Sequence, residues 1–265
     1  MPLIGKKEDL NSLIARLEKY PYTSKPYKEL LKAIAKQCEG KYKDQAILCV
    51  PRVAATPGTH NMNPANGKHS DIATLFGMKL AFEEESLLTY RPRNEVEYDM
   101  AYQQVIACAY VTDGDRYVFL RKNNKSKQAS MIGGHVDFDI SAYQKELEFF
   151  ILDNLLRELV EEVKVEGKWQ DHIKTIYPEL YINEYEDSYD QYNIAVVFSI
   201  HVDSLAKLKL SSGEPDKHDL VMGTLTDIMN HTTPHLWVNR VISHIQQNED
   251  ALAAEKGEET DEAHQ

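Results

Sequence analysis

Cysteine is scarce in this chain. Three stand in 265 residues, at Cys38, Cys49 and Cys108, and no two of them form a CxxC pair. That argues against a cysteine-built zinc centre. Cys49 and Cys108 lie in apolar runs, which favours buried, reduced thiols, whereas the polar neighbours of Cys38 leave its state open. A reducing cytoplasm is the expected compartment. Long hydrophobic runs are missing too. None approaches the ~20 residues of a membrane span, and residues 1–9 hold no apolar stretch, so neither a membrane anchor nor a signal peptide is expected. Positive charge is in short supply: 30 Lys and Arg face 42 Asp and Glu, a net charge of −12. An extended nucleic-acid surface is therefore not expected, because phosphate backbones require basic patches.

The negative charge is uneven. After Gln247 come 7 acids, Glu249 to Glu262, against the single base Lys256. Residues 248–265 are accordingly expected to form an acidic disordered tail. An acidic surface of this kind repels anionic substrates unless metal ions neutralise the site.

The chain reads in three parts. Residues 1–95 look like a mostly helical extension. Leu10, Leu13, Ile14 and Leu17 have helical spacing, and so do Leu30, Leu31, Ile34 and Ala35 after Pro26. Gln45 to Val50 reads as a buried strand. Thr56 to Ser70, rich in Pro, Gly, Asn and His, reads as a loop in which His60 and His69 are solvated. From residue 96 the texture turns to β. Strands are expected at Gln103–Val111 and Arg116–Arg121 around an Asp113-Gly114 turn. A polar loop, Asn123 to Ser130, leads to a short strand, Met131–Val136. A long helix over Tyr143–Val163 follows, then strands at Tyr181–Tyr185, Asn193–Val202 and Leu220–Leu225. A helix over His235–Gln246 that buries Trp237, Val241 and Ile245 closes the unit. This order predicts an α+β fold, an α/β/α sandwich around a mixed sheet, over residues 96–247.

The chemistry is concentrated on the long helix. Glu158, Glu161 and Glu162 stand at i, i+3 and i+4 and share a face. Ile151, Leu152, Leu155, Leu159 and Val163 form an apolar stripe elsewhere on it. Three carboxylates this close repel one another and raise one another's pKa, and a hard divalent cation relieves that repulsion. Arg157 can hold one carboxylate in a bidentate pair. Most Glu-rich helix faces are simply solvated. Here, however, Gly133-Gly134 lies in the preceding strand and exposes backbone for close approach to a ligand.

At this point the sequence resembles the Nudix hydrolases, whose signature is G-x5-E-x7-R-E-U-x-E-E-x-G-U with U a bulky apolar residue. Arg157-Glu158-Leu159-Val160-Glu161-Glu162-Val163-Lys164-Val165 matches its second half, apart from Lys164 in place of the late Gly. Ile132-Gly133-Gly134-His135-Val136-Asp137 opens the first half, and Tyr117-Val118-Phe119-Leu120-Arg121 looks like the strand that leads into this box. The closest variety is a divergent bacterial or phage subgroup with a Gly-Gly-His version of the box, regarded as phosphoesterases. The likeness covers about Val96 to Gln246 and departs from the pattern in spacing. Gly134 to Arg157 is 23 positions, 9 more than the family has, and Phe149 stands where the family has its first Glu.

The resemblance implies a Nudix-like sandwich and hydrolysis of a diphosphate bond in a nucleoside diphosphate derivative, assisted by Mg²⁺ or Mn²⁺. It implies Glu158, Glu161 and Glu162 as metal ligands with the Gly133 carbonyl, and Arg157 as the group that orients Glu158. Gly134, His135 and Arg121 are expected to contact the substrate. The general base is open between acids of the box and later loop acids, of which Glu214 and Asp219 are favoured over Glu184, Glu186 and Asp187. The segment holding Tyr181, Tyr185, Tyr189 and Tyr192 is expected either to stack on the base or to pack a dimer interface. Arg91 and Arg93 either grip a terminal phosphate or pair locally with Glu95 and Glu97. The family also implies a small-molecule nucleotide as partner and a homodimer. A Nudix-fold module that binds nucleotides without efficient turnover is the alternative.

Overall fold

The computed structural model describes residues 9–17, 19–21, 23–38, 40–42, 45–63, 70, 89–137, 147–184 and 192–262. In chain order the elements are α1 (Leu10–Leu17), α2 (Lys25–Cys38), β1 (Ala46–Pro51), β2 (Gly58–Asn61), β3 (Thr89–Pro92), α3 (Arg93–Val96), β4 (Tyr102–Thr112), β5 (Tyr117–Lys122), β6 (Gln128–Ser130) and β7 (Ile132–His135). The catalytic-box helix is α4 (Leu147–Glu162). It is followed by β8 (Val163–Val165), β9 (Ile173–Asn183), β10 (Asn193–Val202), β11 (Leu210–Ser212), β12 (His218–Gly223), α5 (Leu225–His231), β13 (Thr233–Pro234) and α6 (Leu236–Glu262).

β4 is the spine. Its sequence is apolar almost throughout because both of its faces are covered. Val105, Ala107, Ala109 and Val111 point into one core with Ile151, Leu155 and Leu159 of α4. Ile106, Cys108 and Tyr110 point into a second core with Trp237, Val238, Val241 and Ile242 of α6. A helix on each face makes the α/β/α sandwich. Along one edge β4 pairs in parallel with β10, from Gln104↔Asn193 to Thr112↔His201. Along the other it pairs in turn with β1, β7 and β5, all antiparallel. The sheet is mixed, as expected.

The first 95 residues are woven into this sheet. β1 runs between β3 and β4, with Cys49 opposite Gln104. Leu48 and Val50 belong to the α4-side core. The Leu48 N–H donates to Val136 O at 2.8 Å, and Ile47 forms a bridge with Asp137, so β1 also holds the exit of β7. The boundary at residue 95 therefore cuts a hydrogen-bonded sheet. The segment expected as a loop from residue 56 contains β2, which pairs with β9, Thr59 against Ile182. Backbone pairing makes that strand, not an apolar alternation, so the sequence carries no signal for it. His60 Nε2 stands 2.9 Å from Pro57 O; His69 lies outside the described residues. α1 and α2 form a separate cluster around Leu13, Leu17, Tyr27, Leu30 and Ile34, with Tyr98 and Met100 packed against it.

Arg91 and Arg93 pair locally with Glu95 and Glu97, at 3.9 and 2.9 Å. All three cysteines are buried free thiols. No described helix is long and apolar enough to cross a membrane. α6 continues to Glu262, through most of the segment expected as an acidic tail. Ala251 to Ala254 and the glutamates that follow are strong helix formers, and their propensity prevails over charge repulsion.

A fragment of residues 96–247 is expected to lose cooperative unfolding, since Tyr102 to Gln104 of β4 lose their β1 partner and Leu48 and Val50 leave the core. Urea melts followed by near-ultraviolet circular dichroism test this. A fragment as sharp in its transition as the full chain would place the boundary back at 95.

Candidate active site

The buried stripe of α4 turns Arg157, Glu158, Glu161 and Glu162 towards the end of β7. Arg157 gathers three carboxylates. Its Nη2 lies 2.8 Å from Glu158 Oε1 and 2.9 Å from Asp137 Oδ2, and its Nη1 lies 3.4 Å from Glu161 Oε1. Asp137 is placed by β1 and by Asn154, whose Oδ1 accepts the Asp137 N–H at 3.0 Å. Phe149, at the family's Glu position, is 58% exposed. Asn154 thus ties the helix to the strand end. Glu158 lies flat on Gly134, where a β-carbon would stand 2.6 Å from its Cδ.

Glu162 points another way. Its Oε2 accepts the Gly133 N–H at 2.7 Å. Gly133 has φ +144°, and a side chain there would meet Ala107 O. The helix ends without the family's glycine because other groups satisfy its last carbonyls. Lys164 Nζ donates to Val160 O at 2.7 Å, the Gly213 N–H to Glu162 O at 2.7 Å, and Trp169 Nε1 to Val163 O at 2.8 Å. Gly213 can cross this close only because it lacks a side chain; a β-carbon would sit 1.8 Å from Glu161 O.

That crossing delivers Glu214 to Glu162. The Glu214 carbonyl then accepts N–H groups from Lys217 and His218, at 2.9 and 3.1 Å, so the loop makes one helical turn. Glu214 and His218, at i and i+4, fall on one side of it. Glu162, Glu214 and His218 offer ligand atoms that all lie within 4.8 Å of one another. Lys217 pairs with Glu214. Asp219, next along β12, faces away and pairs with Arg121 at 3.2 Å, its register neighbour. Of the two favoured loop acids, one joins the cluster and the other does not.

Burial is the main cause that pushes Glu162 up to about 8; Glu158 and Glu214 add to it, while the Gly133 N–H and Lys217 oppose it. Burial also raises Glu158, against the pull of Arg157, and raises Asp137 in the same way. His135 goes the other way, down to about 3, through burial and the nearby Arg93. Hard carboxylate oxygens crowded beside a buried imidazole nitrogen are a donor set that a divalent cation fits.

The cluster opens on a cleft of about 770 Å³ between the sheet and α6. Gly133, Glu162, Glu214 and His218 are among its lining residues, together with Lys122, Lys217, His235 and Trp237. The volume is that of a ligand site. Gly134, His135 and Arg121 are not among the lining residues; Gly134 carries Glu158, His135 pairs with Ile106, and Arg121 holds Asp219. Tyr181 and Tyr192 are core residues, while Tyr185, Tyr189, Glu186 and Asp187 lie outside the described residues. Glu184 is tied to Arg240 at 2.7 Å. Sequence reasoning missed Asp137, Asn154, Lys217 and His218, and it took Trp237 for core alone. The E-x-x-x-H spacing of Glu214 and His218 was the available signal.

No family model and no curated protein matches the chain. Solved structures do. That of Tm1382, a putative Nudix hydrolase, has a TM-score of 0.54 at 21% identity, over 77% of this chain and 98% of that one. A bifunctional NMN adenylyltransferase/ADP ribose pyrophosphatase from Francisella tularensis gives 0.41 at 15% identity, over 55% of this chain and 41% of that one. A MutT Nudix hydrolase from Burkholderia pseudomallei gives 0.40 at 15%, over 54% and 97%. The first likeness establishes the fold: this is a Nudix fold, α+β around a mixed sheet. It also spans a larger share of the chain than residues 96–247 make up, in keeping with β1 to β3 belonging to the sheet.

The raised Glu162 pKa has a definite sign in the metal-free protein. The native state keeps a proton that the unfolded chain loses above about 4.5. Stability contributed by this group therefore falls as pH rises from the ordinary carboxylate range to about 8, by at most about 1.4 kcal/mol per pH unit. In chelator, Glu162→Gln should remove that component. Urea melts of both proteins at three pH values between 5 and 8 should show the variant gaining on the wild type as pH rises. A constant difference would mean Glu162 ionises normally.

Proposed function

We propose that the protein is a metal-dependent hydrolase of the Nudix type, acting on a diphosphate bond in a nucleoside diphosphate derivative. The observation that carries this reading is the position of Glu162, held by the Gly133 N–H in the lining of a cleft that also holds Lys122, Lys217 and Trp237, one helical turn from Glu158, which Arg157 holds. Glu158, Glu161 and Glu162 would hold Mg²⁺ or Mn²⁺, with the Gly133 carbonyl in the same role by resemblance. The cation supplies charge neutralisation on the phosphate oxygens and a lower pKa for the attacking water.

The protein's own groups do the rest. Arg157 fixes the Glu158 carboxylate in one rotamer and keeps Asp137 and Glu161 beside it. Lys122 and Lys217 reach phosphate oxygens from the cleft wall. Trp237 offers an amphipathic ring to the base, in the role first assigned to the tyrosine segment. Glu214 is the loop acid that serves the reaction, as proton acceptor or as cation ligand, since Asp219 is engaged by Arg121. One observation favours the alternative of a binding module: the solvent-exposed Phe149 where the family has a glutamate.

One experiment separates these readings. The chain is incubated with Mg²⁺ or Mn²⁺ and a panel of nucleoside triphosphates, ADP-ribose, NAD, dinucleoside polyphosphates and capped RNA. Turnover is expected on at least one, with kcat/KM at least about 100-fold lower in Glu162→Gln, the scale of losing several kcal/mol of transition-state charge stabilisation. Thermal stabilisation by a nucleotide with no product would support the binding module. No turnover above the variant on any compound would count against the hydrolase.

A further inference from the structure

We infer that Glu162, Glu214 and His218 form a mixed nitrogen–oxygen cation site that takes a transition-metal ion such as Mn²⁺, Co²⁺ or Zn²⁺ in preference to Mg²⁺. This deepens the hydrolase reading, on which it rests through the shared Glu162, and it assigns Glu214 to cation binding.

Four observations converge on this cluster. The three side chains present ligand atoms within 4.8 Å of one another. Two ligands on opposite sides of one ion, at bond lengths of roughly 2.0–2.2 Å, stand a little over about 4 Å apart, so small rotations close the set. His218 is only 6% exposed, and its Nε2 is buried with no hydrogen-bond partner among the described residues. A buried ring nitrogen in that condition is a mark of a missing ion or water. His218 opens β12 opposite Lys122, so the sheet fixes its backbone beside the two carboxylates. A cation is already drawn to the cluster, since the Lys217 ammonium pairs with Glu214. A divalent ion would displace it and return Lys217 to the cleft wall.

The chemistry of the set decides the ion. Mg²⁺ prefers oxygen ligands in near-octahedral geometry and keeps its waters. An imidazole nitrogen shifts preference towards borderline first-row ions. The Arg157 grouping around Glu158 and Glu161 offers oxygen alone. The His218 set is therefore the one that discriminates between metals.

The untagged full chain, stripped with chelator, is titrated with MnCl₂, CoCl₂ and MgCl₂, and the Mn²⁺ form is measured by pulsed electron paramagnetic resonance. Wild type should show ¹⁴N coupling from a directly bound imidazole. His218→Gln should lose it, while His235→Gln, in the same cleft, should keep it. Mn²⁺ and Co²⁺ affinity should fall at least about tenfold in His218→Gln, the size lost even when a group behind a ligand is removed, with little change for Mg²⁺. Glu214→Gln lies outside β12 and should weaken the same ions, which guards against a misfolded His218 variant. Mn²⁺ that binds without nitrogen coupling, and is lost in Glu158→Gln, would overturn the His218 assignment and leave the hydrolase reading standing. No metal binding at all would overturn both.

Discussion

The site depends on one backbone crossing. Gly213 passes over the last turn of α4 close enough for its N–H to meet the Glu162 carbonyl. Three consequences follow from that contact. The helix gains a partner for an end that its sequence leaves without a glycine stop. The crossing brings Glu214 close to Glu162, where it adds to the burial that pushes the Glu162 carboxyl up to about 8. The chain emerging from the crossing then turns once and brings Glu214 and His218 to bear on the same carboxylate. Any side chain at position 213 would drive the loop off the helix and open all three at once.

The second constraint is the spine strand. β4 has β10 on one side and β1, β7 and β5 in succession on the other. Each of those three neighbours brings something to the site. β7 supplies the Gly133 and Gly134 backbone under Glu162 and Glu158. β5 anchors β12, and with it His218. β1 pins the exit of β7 so that Asp137 reaches Arg157. The N-terminal region thus acts on the carboxylate network through the sheet, although none of its described residues lines the cleft.

The helix and its stripe were legible because a period of 3.6 residues separates Leu155 and Leu159 from Glu158 and Glu162 without reference to anything else in the chain. The Arg157 grip on Glu158 came from the family resemblance alone, because adjacent helical positions do not share a face. The strand character of β4, β5 and β10 was visible in their apolar runs. What escaped depends on partners distant in sequence. β2 has four residues of no apolar pattern and exists through β9. Asp219 looked as suitable as Glu214 until the β5–β12 register paired it with Arg121. Tyr181 and Tyr192 looked like a stacking surface because tyrosine tolerates both water and core; the sheet buries them. Trp237 does double service, packed among the apolar residues of α6 and present on the cleft wall.

On the proposed reading, the charge balance gives the metal a role prior to chemistry. A chain of net charge −12 offers a polyphosphate little attraction at long range. Inside the cleft Lys122 and Lys217 oppose Glu162 and Glu214, and Lys217 is neutralised by its pairing with Glu214. Without a cation these four groups therefore carry one net positive charge while Glu162 is protonated, and none once it ionises. A divalent ion held by the carboxylates would restore the positive charge and free Lys217 from Glu214. It also pulls Glu162 into its ionised form, because the bound charge outweighs the burial that kept it protonated. Metal binding and anion binding are on this view one linked equilibrium, with Glu162 and Lys217 as the two groups that change state between them.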